Sequence, residues 1–346
     1  MASPADAVQV LEAGRDTGRG NLVGVQPWIT PADYASETTL YGALSAYLDA
    51  AREWGWLGPR TVVVWPEYLG TWLIVAGAGR AVARAKSLDA AMRRFALRHV
   101  AGLVRRLWSA REPDRVAATL FRVRAPHVVR LYHTVFSHLA REFQVTLVAG
   151  SAVLPSPRVV DGGVVAGDGP LYGVSAVFGP DGRAYPDLVR KAYPIGSELP
   201  FLTPASPDDL PAFDTPAGRL GVLICADSWY PAPYERLSAL GVDLIAVPSY
   251  IAAQGVWDKP WRGYDGAAAP HDVAHTDVGA LTEAQAWRRY ALAGRLAPSG
   301  ARAGINVFLA GSMWDLGGEG GSLMVTAGRA PTQAESGRPA LLNLWL

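Results

Sequence analysis

Cysteine is almost absent from this chain: Cys225 is the only one among 346 residues. A lone thiol excludes an intrachain disulfide and a cysteine-cluster metal site, and it fits a reducing compartment. Long apolar runs are lacking too. The longest, around Leu73, is broken by Gly77, Gly79 and then Arg80, short of the roughly 20 residues a membrane span needs. The opening stretch MASPADAVQVLEAGRD carries acid where a secretion signal carries a basic region, and it has no continuous apolar core. The expected location is therefore cytoplasmic. Net charge is scarce as well, at +1.

That small net charge conceals an uneven distribution. Residues 71–130 hold 13 basic and 3 acidic side chains, so this segment carries +10 and the remainder −9. Half of the chain is apolar (50%) and 18% is charged, a balance that supports a large folded core rather than disorder. No internal boundary is rich in polar linker residues, so residues 1–346 are expected to form a single domain.

Hydrophobic patterning gives alternating elements. Strands are expected at Asn21–Gln26 and Thr61–Trp65, with a helix over 38–54 between them. Ser87 can cap a helix whose stripe Leu88, Met92, Phe95, Val100, Leu103, Val104 and Leu107 lies opposite Arg93, Arg94, Arg98, Arg105 and Arg106. Three uses of this basic helix stay open: an outer helix with a solvated cationic face, a partner or subunit interface, and an anionic surface or substrate site. A further helix over 126–143 leads into a strand at 145–150, and hairpins follow, with strands at 159–160 and 171–178. The segment 204–216 reads as a proline-rich connector. A strand over 242–248, an irregular Trp- and Gly-rich stretch at 249–279, a helix from a Thr282 cap through Leu296 and strands near 305–309 and 320–325 complete the chain. The irregular stretch is too long for a simple connection and is expected to be a lid or binding loop. The apolar tail 341–346 is expected to need a cover, with another subunit as one source. The alternation argues a layered α/β domain.

Three strand ends carry residues able to do chemistry. Gly221-Val222-Leu223-Ile224 delivers Cys225 to the turn Ala226-Asp227-Ser228, ahead of a helix beginning near Pro231; free N–H groups and a helix start favour a thiolate. Glu67 follows the strand ending at Trp65, and Lys191 follows a short strand after the Gly179–Gly182 turn. Alone, each is unremarkable: free cysteines mostly pack as small hydrophobes, and loop acids and lysines are mostly solvated.

Together, Trp65-Pro66-Glu67, Arg190-Lys191-Ala192-Tyr193-Pro194 and Leu223-Ile224-Cys225-Ala226-Asp227-Ser228-Trp229-Tyr230-Pro231 resemble the nitrilase superfamily of carbon-nitrogen hydrolases. Gln26, Val247-Pro248-Ser249 and Gly320-Gly321-Ser322 extend the resemblance over about residues 21–328. The resemblance implies a four-layer α-β-β-α sandwich, usually a dimer or higher homo-oligomer. It also implies a Glu-Lys-Cys triad with no metal or organic cofactor. In that scheme Cys225 is the nucleophile, Glu67 the general base and acid, and Lys191 the oxyanion partner with the Ala226 N–H. Glu198 resembles the second glutamate that orients the lysine or substrate. Tyr68, Trp229, Tyr250 and Trp257, near these motifs, are candidate pocket residues.

Departures from the family pattern narrow the chemistry. True nitrilases usually follow the cysteine with Trp-Glu; Ala226-Asp227 favours amide or carbamoyl substrates. Ala232 stands where the family often has glutamate, so a supporting carboxylate is absent or replaced by Glu235. The stretch between Glu67 and Val145 is longer than usual and contains the basic helical insertion at about 71–130. The expected activity is thioester-forming hydrolysis of a small-molecule amide or carbamoyl C–N bond. The alternatives are N-acyl transfer to an amine, nitrile hydrolysis, and a non-catalytic scaffold binding an anionic partner through the basic helix. His271 and His275 have metal-ligand spacing but lack the glutamate of the zinc motif and read as surface histidines. The glycines at 77–79 and 317–321 fit no phosphate or dinucleotide motif, and nothing supports nucleic-acid binding.

Overall fold

The computed structural model describes residues 8–98, 107 and 111–346. Its first sheet contains Gln9–Ala13 (β1), Asn21–Gln26 (β2), Thr61–Trp65 (β3), Thr146–Ala149 (β4) and Val177–Phe178 (β5). The second contains Ala212–Thr215 (β6), Gly218–Val222 (β7), Leu244–Ser249 (β8), Ala303–Phe308 (β9), Leu323–Thr326 (β10) and Thr332–Gln333 (β11). The chain then returns to the first sheet as Ala340–Trp345 (β12), giving strand orders β1-β12-β2-β3-β4-β5 and β6-β7-β8-β9-β10-β11. In each sheet three neighbouring strands run parallel, β2-β3-β4 and β7-β8-β9.

Helices Glu37–Glu53 (α1), Leu88–Arg98 (α2), Arg115–Phe143 (α3), Pro231–Ala239 (α4) and Glu283–Tyr290 (α5) complete the layers. Caps set their starts: the Ser36 Oγ accepts from the Thr39 N–H, Asp114 from the Ala117 N–H, and Thr282 and Gln285 form a reciprocal box. Every residue of β3 is buried because both of its faces are covered. Val63 and Trp65 share a core with Leu40 and Leu44 of α1 and Tyr132 and Phe136 of α3, whereas Val62 and Val64 share one with Val222 and Ile305 of the second sheet. A Cβ on Gly24 of β2 would come within 2.6 Å of Ile305, and one on Gly221 of β7 within 2.7 Å of Leu237 in α4. The sheets therefore face each other, with α1 and α3 outside one and α4 outside the other. This is the four-layer α-β-β-α arrangement.

Several elements differ from the sequence expectation. The apolar tail needs no other subunit, because β12 is inserted between β1 and β2, with Leu342 opposite both Leu11 and Gly24. The third helix begins at Arg115 and runs through Pro126 rather than starting there; the Asp114 cap supplies the beginning that proline usually marks. The helix after Thr282 is broken at Ala291, whose extended backbone separates α5 from the short turn Leu292–Arg295. The connector 204–216 contains β6, whose hydrogen bonds to β7 outweigh its proline-rich flanks. Of the basic helix, Leu88–Arg98 is described, while Val100, Leu103, Val104, Arg105 and Arg106 lie outside the described residues. Its arginines are not simply a solvated face: Arg94 donates to the Ala81 carbonyl at 2.8 Å and Arg98 to that of Ala78. From α3, Arg124 reaches the Ile74 and Ala76 carbonyls at 3.0 and 2.8 Å. Part of the segment's positive charge thus satisfies carbonyls in and around the short helical turns Thr71–Val75 and Arg80–Ala83. Among the described residues, no helix is long and apolar enough to cross a membrane.

Candidate active site

Glu67, Lys191 and Cys225 come from three separate strand ends and meet in the interior. β3 hands the chain to Pro66 and Glu67, and the turn beyond is held from the end of β4: the Ser151 Oγ accepts from the Tyr68 N–H at 2.9 Å, and the Ser151 carbonyl accepts from Gly70 and Thr71. Gly150, just before, has φ +63°, and a Cβ there would lie 2.2 Å from the Pro66 carbonyl oxygen, so only glycine permits this close approach. Lys191 follows the strand Val189–Arg190 and is anchored by its N–H to the Gly173 carbonyl at 2.8 Å.

The lysine ammonium binds both glutamates, at 2.7 Å from Glu67 Oε1 and 2.7 Å from Glu198 Oε2. The second carboxylate is itself positioned, accepting from the Ile195 N–H at 3.0 Å through Oε2 and from the Tyr68 hydroxyl at 3.0 Å through Oε1. Glu67, Lys191 and Glu198 are each 2% exposed, so these charges are bought out of water only as a paired group.

Cys225 sits at φ +50°, a left-handed conformation that non-glycine residues rarely adopt. The strain lies where the extended chain leaving β7 turns abruptly into the short 3-10 helix Cys225–Trp229. Its thiol donates to the Tyr250 carbonyl oxygen at 3.9 Å and lies near enough to Glu67 for the two groups to interact electrostatically. The Ala226 N–H, in the first turn of that helix, has no acceptor among the described residues.

Burial raises Glu67 to about 7; Glu198 reinforces the shift, and Lys191 and the thiol oppose it. Burial pulls Lys191 down, but Glu198 and Glu67 outweigh it and hold the ammonium well above its ordinary range. Burial, with the Glu67 charge, pushes the Cys225 thiol well up, so the resting sulfur is a thiol facing a carboxylate. That arrangement gives a nucleophile, a proton acceptor tuned near neutrality and a fixed cation within one buried cluster.

Cys225 and Ala226 open onto a cavity of about 1060 Å³. Trp229 and Tyr250 line it, together with Tyr230, Trp261, Tyr264 and Trp287; most of the wall comes from the irregular segment 249–279. Tyr68 stands behind the wall, its ring 5.6 Å from that of Tyr250, and Trp257 packs edge-on against Phe308 at 5.4 Å rather than lining the cavity. Glu235 is exposed on α4 and supports none of the triad. His271 and His275 are exposed. Gln26 and Ser322 are structural: Ser322 donates to Gln26 Oε1 from its N–H at 2.8 Å and its hydroxyl at 2.6 Å, tying the two sheets together.

Asp227 is the site residue that sequence reading missed. Fully buried, its Oδ1 accepts from the Ala192 and Tyr193 N–H groups at 2.9 and 2.8 Å, and its Oδ2 from the Ile224 N–H at 3.2 Å. One carboxylate therefore holds the residues following Lys191 and the residue preceding Cys225. Burial raises it to about 6. An acid flanked by Leu-Ile-Cys-Ala and Ser-Trp-Tyr was the available signal. The cavity residues of α5 left no local signal at all.

The sequence model of the family described as carbon-nitrogen hydrolase matches residues 131–312, which include Lys191 and Cys225. No curated protein matches the chain. Among solved structures, it is similar to an amidase from Nesterenkonia AN1 of the nitrilase superfamily, in a cysteine-to-serine variant, with 15% identity, coverage of 95% of this chain and 92% of that one, and a TM-score of 0.56. A glutamate-to-glutamine variant of the same amidase, showing Michael addition of acrylamide at its active-site cysteine, matches with 15% identity, 94% and 93% coverage, and a TM-score of 0.56. Its complex with butyramide, in a cysteine-to-alanine variant, matches with 15% identity, 95% and 91% coverage, and a TM-score of 0.56.

Proposed function

We infer that this chain, which belongs to the carbon-nitrogen hydrolase family, hydrolyses an amide through a thioester on Cys225. The observation that carries this reading is the buried cluster in which Lys191 bridges Glu67 and Glu198 while Glu67 faces the thiol. Glu67 takes the thiol proton as sulfur attacks the carbonyl carbon, and the C=O electron pair moves onto oxygen. Lys191 and the free Ala226 N–H stabilise that oxyanion. As the pair returns, the C–N bond breaks and Glu67 passes its proton to the leaving amine. Water then attacks the thioester, Glu67 accepts the water's proton, and the acid departs as the proton returns to sulfur. Each residue regains its starting state.

The test is intact-protein mass after brief exposure to a panel of amides and carbamoyl amines, alongside turnover. Wild-type protein is expected to gain the mass of the acyl group; Cys225→Ala is expected to gain none and to lose turnover by at least about 10³-fold. Full turnover in Cys225→Ala removes the mechanism.

A further inference from the structure

The cavity wall contains one acidic group that the thioester chemistry leaves unused. Glu283 opens α5 and lines the cavity half-buried. Its Oε1 accepts from the Trp287 indole N–H at 3.1 Å, and among the described residues no lysine, arginine or histidine nitrogen lies within 4.0 Å of the carboxylate. A carboxylate partly withdrawn from water and left without a cation gains from a positive charge that a bound molecule supplies. Its first-turn place on a helix offsets only part of the cost of that withdrawal.

The surroundings fit a cation. The Trp287 ring lies 4.9 Å from that of Trp229, four residues beyond the thiol, and Trp229 stacks on Trp261 at 5.6 Å. Aromatic faces attract ammonium groups and repel anions. The other charged residues of the lining are Lys259, whose carbonyl accepts from the Glu283 N–H at 2.9 Å, Arg262 and Asp265; all three are exposed, so water and salt screen their charges. A cavity of about 1060 Å³ also far exceeds a short aliphatic amide.

We propose that Glu283, set among Trp229, Trp261 and Trp287, is the specificity residue for a positively charged end of the substrate, so that the amide hydrolysed at Cys225 carries an ammonium or similar cation. This deepens the amidase reading and rests on it for the position of the scissile bond.

The experiment separates the two readings by measuring binding without turnover. Cys225→Ala protein is titrated calorimetrically at about pH 8 with 4-aminobutanamide, 6-aminohexanamide and 8-aminooctanamide, and with the neutral isosteres pentanamide, heptanamide and nonanamide. At least one amine is expected to bind about tenfold more tightly than its isostere. Adding Glu283→Gln, which keeps an acceptor for Trp287, is expected to abolish that preference while the neutral amide's affinity changes less than about twofold. No preference in any pair, or a preference that survives Glu283→Gln, overturns the proposal. Loss of Cys225-dependent hydrolysis in the wild type, by contrast, bears on the thioester mechanism and leaves the binding result standing.

Discussion

Glu67 is the residue whose environment most directly sets a measurable property. Buried beside Glu198, it holds its proton up to about 7 even though Lys191 is bonded to it. It can accept the thiol proton only when ionised, so kcat/KM is expected to rise about tenfold per pH unit below about 7 and to level off above it. A profile that is flat between about pH 5 and 8 removes Glu67 as the base. Glu67→Gln is expected to lose the limb and at least about 10²-fold in kcat/KM. Residue identity at this position was legible in sequence, because a carboxylate just past a buried strand end, aligned with two similar ends, matched a known pattern. Its pKa was not, because Glu198 and Lys191 are 131 and 124 positions away in the chain and only folding makes them neighbours.

At the scale of elements, Asp227 joins two turns that share no hydrogen-bonded strand. Its carboxylate accepts from three backbone N–H groups, those of the buried Ala192 and Ile224 and the partly buried Tyr193. Asp227→Ala leaves those donors unpaired, and the expected loss of stability is about 3–5 kcal/mol, read from urea denaturation. A loss below about 1 kcal/mol would show that water or local rearrangement replaces the carboxylate. Helix starts at Ser87 and Thr282 were readable because a cap is a local interaction over three residues. The start of α3 was misplaced because Pro126 is a common start signal, while the true cap, Asp114, lies in a basic stretch with no clear period. The break at Ala291 also escaped, since Arg295 stabilises it through the carbonyls of Trp229 and Tyr290, at 3.0 and 2.8 Å, and one of these is distant in sequence.

The whole molecule depends on how closely the two sheets meet. Gly24 stands on the inner face of β2 with Ile305 where a side chain would be, and Ile305 and Val307 both close on it. Gly24→Ala must push the sheets apart or force Ile305 from its rotamer, at about 1–3 kcal/mol, visible as a lowered denaturation midpoint with unchanged slope. Stability equal to wild type would mean that the interface has slack. The same sandwich explains why β12 closes the first sheet: an apolar strand that returns between β1 and β2 buries its own hydrophobic surface.

By itself the sequence determined the class of fold, most element positions and the three residues Glu67, Lys191 and Cys225, because buried strands, caps and strand-end motifs are written within a few neighbouring positions. Tertiary structure alone decided what surrounds them: the Glu198 and Tyr68 partners of the buried Glu67–Lys191 pair, the Asp227 clamp, the place of β12 and the aromatic cavity with Glu283 in its wall. Those features depend on contacts between residues tens to hundreds of positions apart, and their electrostatics depend on burial, which no local pattern specifies.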